Sequence, residues 1–120
     1  IGNHSSERHR IPMIWLGGAV TKPMVVEEYM SQTDIAATLL AQMNISHTQF
    51  TFSRDICAEG CAHFAYWTSP VGFGIIDATG KTIYDCNTDI VITEECDDTS
   101  RHVEEGKAWL EKTFIEIRNM

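Results

Sequence analysis

The sequence predicts an α/β fold, α+β for the stretch taken alone, and three observations carry the prediction. Pro12 to Leu16 is a short unbroken apolar run, the pattern of a strand buried on both faces of a parallel or mixed sheet. Apolar residues recur at helical spacing twice, as Ile35, Leu39, Leu40 and Met43, and again as Val103, Leu110, Phe114 and Ile117. Between these, Phe64 to Ile92 is a series of short runs rich in aromatic and β-branched residues, broken at Ser69-Pro70 and at Ala78-Thr79-Gly80. The expected order is a buried strand, a helix, an antiparallel meander and a closing helix.

Each element has a local reason. Residues 1–10 are polar and aperiodic, hence a loop. The strand at Met13 to Leu16 ends at Gly17-Gly18, and Ala19 to Val26 is an exposed connection bent at Pro23. Ser31 with Asp34 three residues on is a capping-box start, which predicts a helix from about Thr33 to Asn44; Asp34 itself reads as a first-turn acid that favours the helix dipole. Arg54-Asp55 is expected to form a local turn or ion pair. In the meander, Phe64–Thr68, Gly72–Asp77, Lys81–Asp85 and Ile90–Ile92 are the predicted strands. An acidic linker, Glu94 to Asp98, leads to Thr99 or Ser100 as a helix cap, and the last helix runs to about Arg118, its apolar face covering the meander.

Bulk properties narrow the function. The 120 residues, 43% hydrophobic, suffice for one core, so one unit is expected: 1–10 as a loop, 11–56 as the end of a main sheet with one helix, and 57–120 as the antiparallel region with the closing helix. A formal charge of -8 with only nine Lys and Arg argues against a nucleic-acid partner, because phosphate binding requires clustered cations. No apolar run approaches the roughly 20 residues that span a bilayer, so any membrane attachment would come from an upstream anchor. Cys57, Cys61, Cys86 and Cys96 are compatible with a disulfide, with free thiols, or, for Cys57 and Cys61 beside His63, with a weakly signalled zinc set.

Other constellations are thin. No Gly-x-Ser-x-Gly elbow is present to support a triad hydrolase. Gly72-Phe73-Gly74 lacks the rest of a dinucleotide fingerprint, and it reads as a bulge or close-packing device. Phe64, Tyr66, Trp67 and Phe73 read as core before they read as a binding platform. His9, ahead of Pro12 and the predicted strand, is the leading candidate for chemistry, because a loop at a sheet edge can present an imidazole as donor or metal ligand. His4 and Arg10, with Arg8, are weaker candidates for contacting an anionic group.

Two runs carry a resemblance: His9-Arg10-Ile11-Pro12-Met13-Ile14-Trp15-Leu16-Gly17-Gly18 and Ser31-Gln32-Thr33-Asp34-Ile35-Ala36-Ala37-Thr38-Leu39-Leu40. They resemble the tail of a sulfatase-type catalytic domain of the alkaline-phosphatase superfamily, in the branch of lipoteichoic-acid-synthase-like phosphoglycerol and phosphoethanolamine transferases. Gly72 to Gly80 resembles a C-terminal hairpin of Bacteroidetes-type members. Ala37 departs from the pattern, since many relatives carry Pro there. The resemblance implies that this is the C-terminal piece of a metal-dependent enzyme whose Thr, Ser or formylglycine nucleophile, Asp-His-Gly motif and most metal ligands lie upstream, so these residues alone are expected to be inactive and to hold no metal.

The implied parent uses a divalent cation (Zn, Mn, Mg or Ca) and transfers phosphoglycerol or phosphoethanolamine onto cell-envelope lipids or glycans. It is membrane-anchored, with its catalytic part in the periplasm. His9 then contacts the substrate phosphate or sulfate, or acts as a second-metal ligand, with His4 and Arg10 in substrate binding. The implied partner is the missing N-terminal part of the domain, and self-association is expected without it. The alternatives are an aryl- or glycan-sulfatase and, in another class, a non-catalytic binding module.

Overall fold

The computed structural model describes residues 5–120, so His4 lies outside the described residues. Its contacts gather into two compact units, one formed by the described residues up to Arg10 with Ala65–Met120, the other by Ile11–Phe64.

The first unit is built on four strands, β1 (Phe64–Thr68), β2 (Gly72–Asp77), β3 (Gly80–Asp85) and β4 (Ile90–Cys96), paired in sequence order as an antiparallel meander. Its turns are made by local chemistry. Ser69 and Gly72 exchange backbone hydrogen bonds of 2.8 and 3.4 Å between β1 and β2. At the next turn the Asp77 carboxylate accepts from the Thr79 N–H at 2.8 Å and its hydroxyl at 2.6 Å. Gly80 closes that turn at φ 134°, where a side chain would be strained and would meet the Glu95 carbonyl. The register sets Phe73 opposite Tyr84 and Ile75 opposite Thr82.

One sheet face, carrying Phe73, Ile75, Thr82 and Tyr84, is covered by α2 (Thr99–Asn119); all four residues are buried. The Phe73 ring lies 5.4 Å from Tyr84 and 5.8 Å from Tyr66, centroid to centroid, and Tyr66 in turn stacks with Trp109 of α2 at 6.2 Å. These aromatic pairs add about 0.5–1.5 kcal/mol each to the burial of their apolar area. On the other face Trp67 lies over Gly74, where an added Cβ would fall 2.1 Å from the indole.

Three expectations are corrected here. The strand β4 continues through Glu94, Glu95 and Cys96, which had read as linker; Lys81 opposite Glu95 forms an ion pair at 3.2 Å that holds the acidic end in the ladder. The cap of α2 is Asp98, whose side chain accepts from Arg101 N–H at 3.1 Å, and not Thr99 or Ser100. Most consequential, the expected stripe of α2 is not its buried row: Val103 and Leu110 are only half-buried, and Phe114 and Ile117 are exposed. The buried row is His102 and Gly106, continued by half-buried Trp109 and Thr113, while Phe114 and Ile117 are 64% and 62% exposed. Helical periodicity finds the apolar stripe, but the sheet selects a different face, because the Phe73 ring occupies the space that any residue larger than Gly106 would need.

In the second unit a 3₁₀ turn (Gln32–Asp34) leads into α1 (Ile35–Gln42), close to the expected helix. The capping box is present, with Ser31 N–H donating to Asp34 at 2.8 Å. Asn44, at φ 55°, ends the helix in the left-handed conformation, and Ile45 N–H returns to the Leu40 carbonyl at 2.8 Å. Asp34 is wholly buried and does more than cap: it accepts from the Arg54 backbone N–H at 3.0 Å and from its Nε at 2.9 Å. Arg54 also donates to the carbonyls of Ala62 and Phe64 at 2.9 and 2.8 Å and lies over the Phe64 ring. The expected Arg54–Asp55 ion pair is therefore replaced by a long-range one. Asp55 keeps only its turn, accepting from Cys57 N–H at 3.0 Å. Ala37 donates its N–H to Ser53 Oγ at 2.7 Å, a bond a proline could not make.

The predicted strand at Met13 to Leu16 is not one. The segment has no regular secondary structure, and among the described residues no backbone hydrogen bond reaches 11–16. Ile14 and Leu16 are 82% and 92% exposed. A strand needs a neighbour to satisfy its N–H and C=O groups, and the described strands all pair with one another in the meander.

Two substitutions test these packing arguments. Gly106→Ala should gain about 1 kcal/mol of helix propensity but lose more, because its Cβ would fall 1.9 Å from the Phe73 ring. The expected net effect is a destabilisation of about 1–2 kcal/mol by urea titration, largely relieved in the Gly106→Ala, Phe73→Leu double variant. Arg54→Met strands the buried Asp34 charge and should destabilise by about 3–5 kcal/mol, whereas Asp55→Asn should stay within about 0.5 kcal/mol.

Candidate functional site

His9 is the last residue of a 3₁₀ turn, Ser6–His9, and its ring is exposed. The turn is steadied by Arg10 N–H donating to the Glu7 carbonyl at 3.3 Å and by the Ser5 hydroxyl on the Glu7 carboxylate. The imidazole stacks on Trp67 of β1, with centroids 5.2 Å apart and planes 23° from parallel. Trp67 itself lies over Gly74, so the indole that carries the His9 ring is backed by the sheet. The sheet therefore orients the His9 ring. Arg8 and Arg10 flank it in sequence and are exposed, so the turn carries three potential cationic donors on a protein of net charge -8. Such a cluster can donate hydrogen bonds to an anionic oxygen. His4 cannot be placed beside them, being outside the described residues.

A second cluster was not legible in the sequence. Asp77 Oδ2 accepts from Arg101 at 2.8 Å and faces His102 Nε2 at 3.2 Å, while His102 Nδ1 is 2.9 Å from the Thr82 hydroxyl. His102 is completely buried. Cys96 Sγ lies 3.7 Å from the same Nε2 and accepts from Asp98 N–H at 3.4 Å. Burial pushes the Asp77 carboxyl up, but hydrogen bonds from Thr79, Arg101 and His102 outweigh it and hold the group well below the usual carboxylate range. The Asp77 hydrogen bond also pushes the Arg101 guanidinium up.

This cluster contains Asp, His and Cys but not the geometry of a nucleophilic relay. A relay needs the acid and the nucleophile on opposite ring nitrogens, and here Asp77 and Cys96 both face Nε2 while Nδ1 is taken by Thr82. Its work is to fasten α2 to the sheet. Only the turn-forming share of Asp77 could be foreseen, from the Asp-x-Thr-Gly pattern; Arg101 and His102 are more than twenty residues away.

Among the described residues no group of three His, Cys, Asp or Glu side chains is arranged to hold a metal ion. Cys57, Cys61, Cys86 and Cys96 are all free thiols, and burial pushes Cys57 and Cys61 up from the ordinary thiol range. The aromatic set divides: Phe73 is core, Tyr66 packs against it, Trp67 carries His9, and Phe64 lies under Arg54.

No family model matches the chain, and no curated protein or solved structure matches it either.

Because the folded-state Asp77 carboxyl is depressed below its unfolded value near 3.9, its contribution to stability is present above about pH 4 and is lost as pH falls through the lower, folded value. Unfolding free energy measured between about pH 6 and pH 2 should thus fall with acid. Asp77→Asn should start lower at pH 6 and show a shallower fall. Parallel slopes would remove Asp77 from the acid response.

Proposed function

We propose that this chain is the C-terminal portion of a metal-dependent enzyme of the sulfatase and alkaline-phosphatase superfamily, most like a phosphoglycerol or phosphoethanolamine transferase acting on cell-envelope lipids or glycans. The supporting observation is the run from His9 to Leu16. An anion-suited turn, His9 with Arg8 and Arg10, leads directly into an apolar segment that is mostly exposed and has no backbone hydrogen bond among the described residues. Exposing Ile14 and Leu16 is unfavourable by roughly 1.5–3 kcal/mol for each side chain that burial would remove from water. A segment with this pattern is stabilised as a strand within a larger sheet, and in this reading the rest of the catalytic domain provides that sheet.

The described residues do not themselves fit the divalent cation of such an enzyme, since they bring no three ligands together. What the chain offers is His9, held by Trp67 so that its outer edge faces solvent, as a donor to a phosphoryl or sulfuryl oxygen, with Arg10 as a neighbouring cation. A donor of this kind acts most strongly on charge that grows in the transition state. No helix among the described residues is long and apolar enough to cross a membrane; in this reading the membrane anchor belongs to the upstream part, with the catalytic domain on the periplasmic side. A sulfatase would use the same tail.

The test separates chemistry from packing at one residue. In the full-length enzyme, His9→Phe keeps an aromatic ring on Trp67 and His9→Ala does not. Both should lower turnover of an aryl phosphodiester or sulfate by roughly 100-fold or more, while His9→Phe holds the thermal midpoint and His9→Ala lowers it slightly. The 120 residues alone should show no turnover. Wild-type turnover in His9→Phe, or metal-dependent turnover by these residues alone, would sink the reading.

A further inference from the structure

The last turns of α2, residues 114–120, are exposed. The helix is 21 residues long, about 31 Å at 1.5 Å per residue, whereas the six-residue strands β2 and β3 reach only about 20 Å. Burial along the helix stops accordingly: Trp109 and Thr113 are the last half-buried residues of the sheet-facing row, and residues 114–120 are all exposed. On this overhang Leu110, Phe114, Ile115 and Ile117 line an open groove edged by Lys107, Glu111 and Arg118. The spacing of Leu110, Phe114 and Ile117, four then three residues, is that of a helix-pairing seam.

We propose that this seam is a self-association surface, on which α2 of a second copy lies antiparallel. The choice of occupant follows from the charges on its rim. Glu111 and Arg118 are seven residues apart, two turns along the same flank of the seam, and opposite in sign. An antiparallel pair with its two-fold axis near Phe114 sets Glu111 of each copy against Arg118 of the other, giving two reciprocal ion pairs. A parallel pair would put the Glu111–Arg118 flanks of the two copies on opposite sides of the seam, so neither ion pair could form. The interface is isologous, as two-fold symmetry requires. It is also small, with about three apolar side chains from each copy, below the ~1,200 Å² of total buried surface of a stable complex, so the expected affinity is micromolar or weaker. The proposal is independent of the catalytic reading above.

Sedimentation equilibrium of the 120-residue protein from about 10 µM to about 1 mM, a range that brackets such an affinity, should show a reversible monomer–dimer system. Phe114→Glu should abolish it. Glu111→Arg and Arg118→Glu should each weaken it at least tenfold, because every rim pair becomes like-charged; mixing the two variants in equal amounts should restore a heterodimer. All three sites are exposed, so circular dichroism should confirm unchanged folding. Ile14→Lys, in the other unit, should dimerise as the wild type does. A monomeric wild type, wild-type association in Phe114→Glu, loss of association in Ile14→Lys, or no recovery on mixing overturns the proposal. Because the activity test on His9 does not involve α2, failure of either proposal leaves the other standing.

Discussion

One carboxylate seats the long helix on the sheet. Asp77 stands at the end of β2, accepts from its own hairpin turn through Thr79, and at the same time receives Arg101 and His102, neighbours in the first turns of α2. Two successive helix residues bonded to one strand end fix the roll of the helix about its axis. Thr82, on the next strand, takes the other nitrogen of the His102 ring, so a fully buried imidazole is satisfied on both sides. With the roll fixed, Gly106 is the residue that falls over Phe73, and the aromatic layer of Tyr66, Phe73, Tyr84 and Trp109 closes around that contact. The exposure of Phe114 and Ile117 is the other side of the same constraint.

Asp34 plays a comparable part in the other unit. In both cases a carboxylate has a local duty, capping for Asp34 and turn closure for Asp77, together with an arginine partner about twenty residues further along. Asp34 is the more deeply committed: it is wholly buried, and Arg54 distributes its remaining donors over the carbonyls of Ala62 and Phe64. A chain with little regular structure between residues 11 and 63 is thereby tied to its one α-helix by side-chain bonds instead of by a ladder.

The His9 turn and the segment after it are of another kind. His9 is oriented by Trp67, and Trp67 can lie over Gly74 only because that residue has no side chain. Beyond Arg10 the chain carries apolar side chains into solvent and leaves its backbone unpaired among the described residues.

Local patterns in the sequence were enough for the helix after Ser31, the first two hairpin turns, the four strands of the meander and the last helix, because capping boxes, turn residues and changes of hydrophobic period act within a few residues of one another. His9 could be singled out from the run it opens. The partner of each element was decided only in three dimensions. Pro12 to Leu16 reads as a strand in any local window, yet a strand exists only where another backbone is offered. The stripe of α2 reads as its inner face, yet the inner face was chosen by a ring that needed a glycine and a carboxylate that needed two cations. Arg54-Asp55 reads locally as a turn or an ion pair; the turn forms, and the charge partner of Arg54 is the distant, buried Asp34. Periodicity specifies which residues share a face; which face is buried depends on long-range charge and shape, and those are assembled only when distant parts of the chain meet.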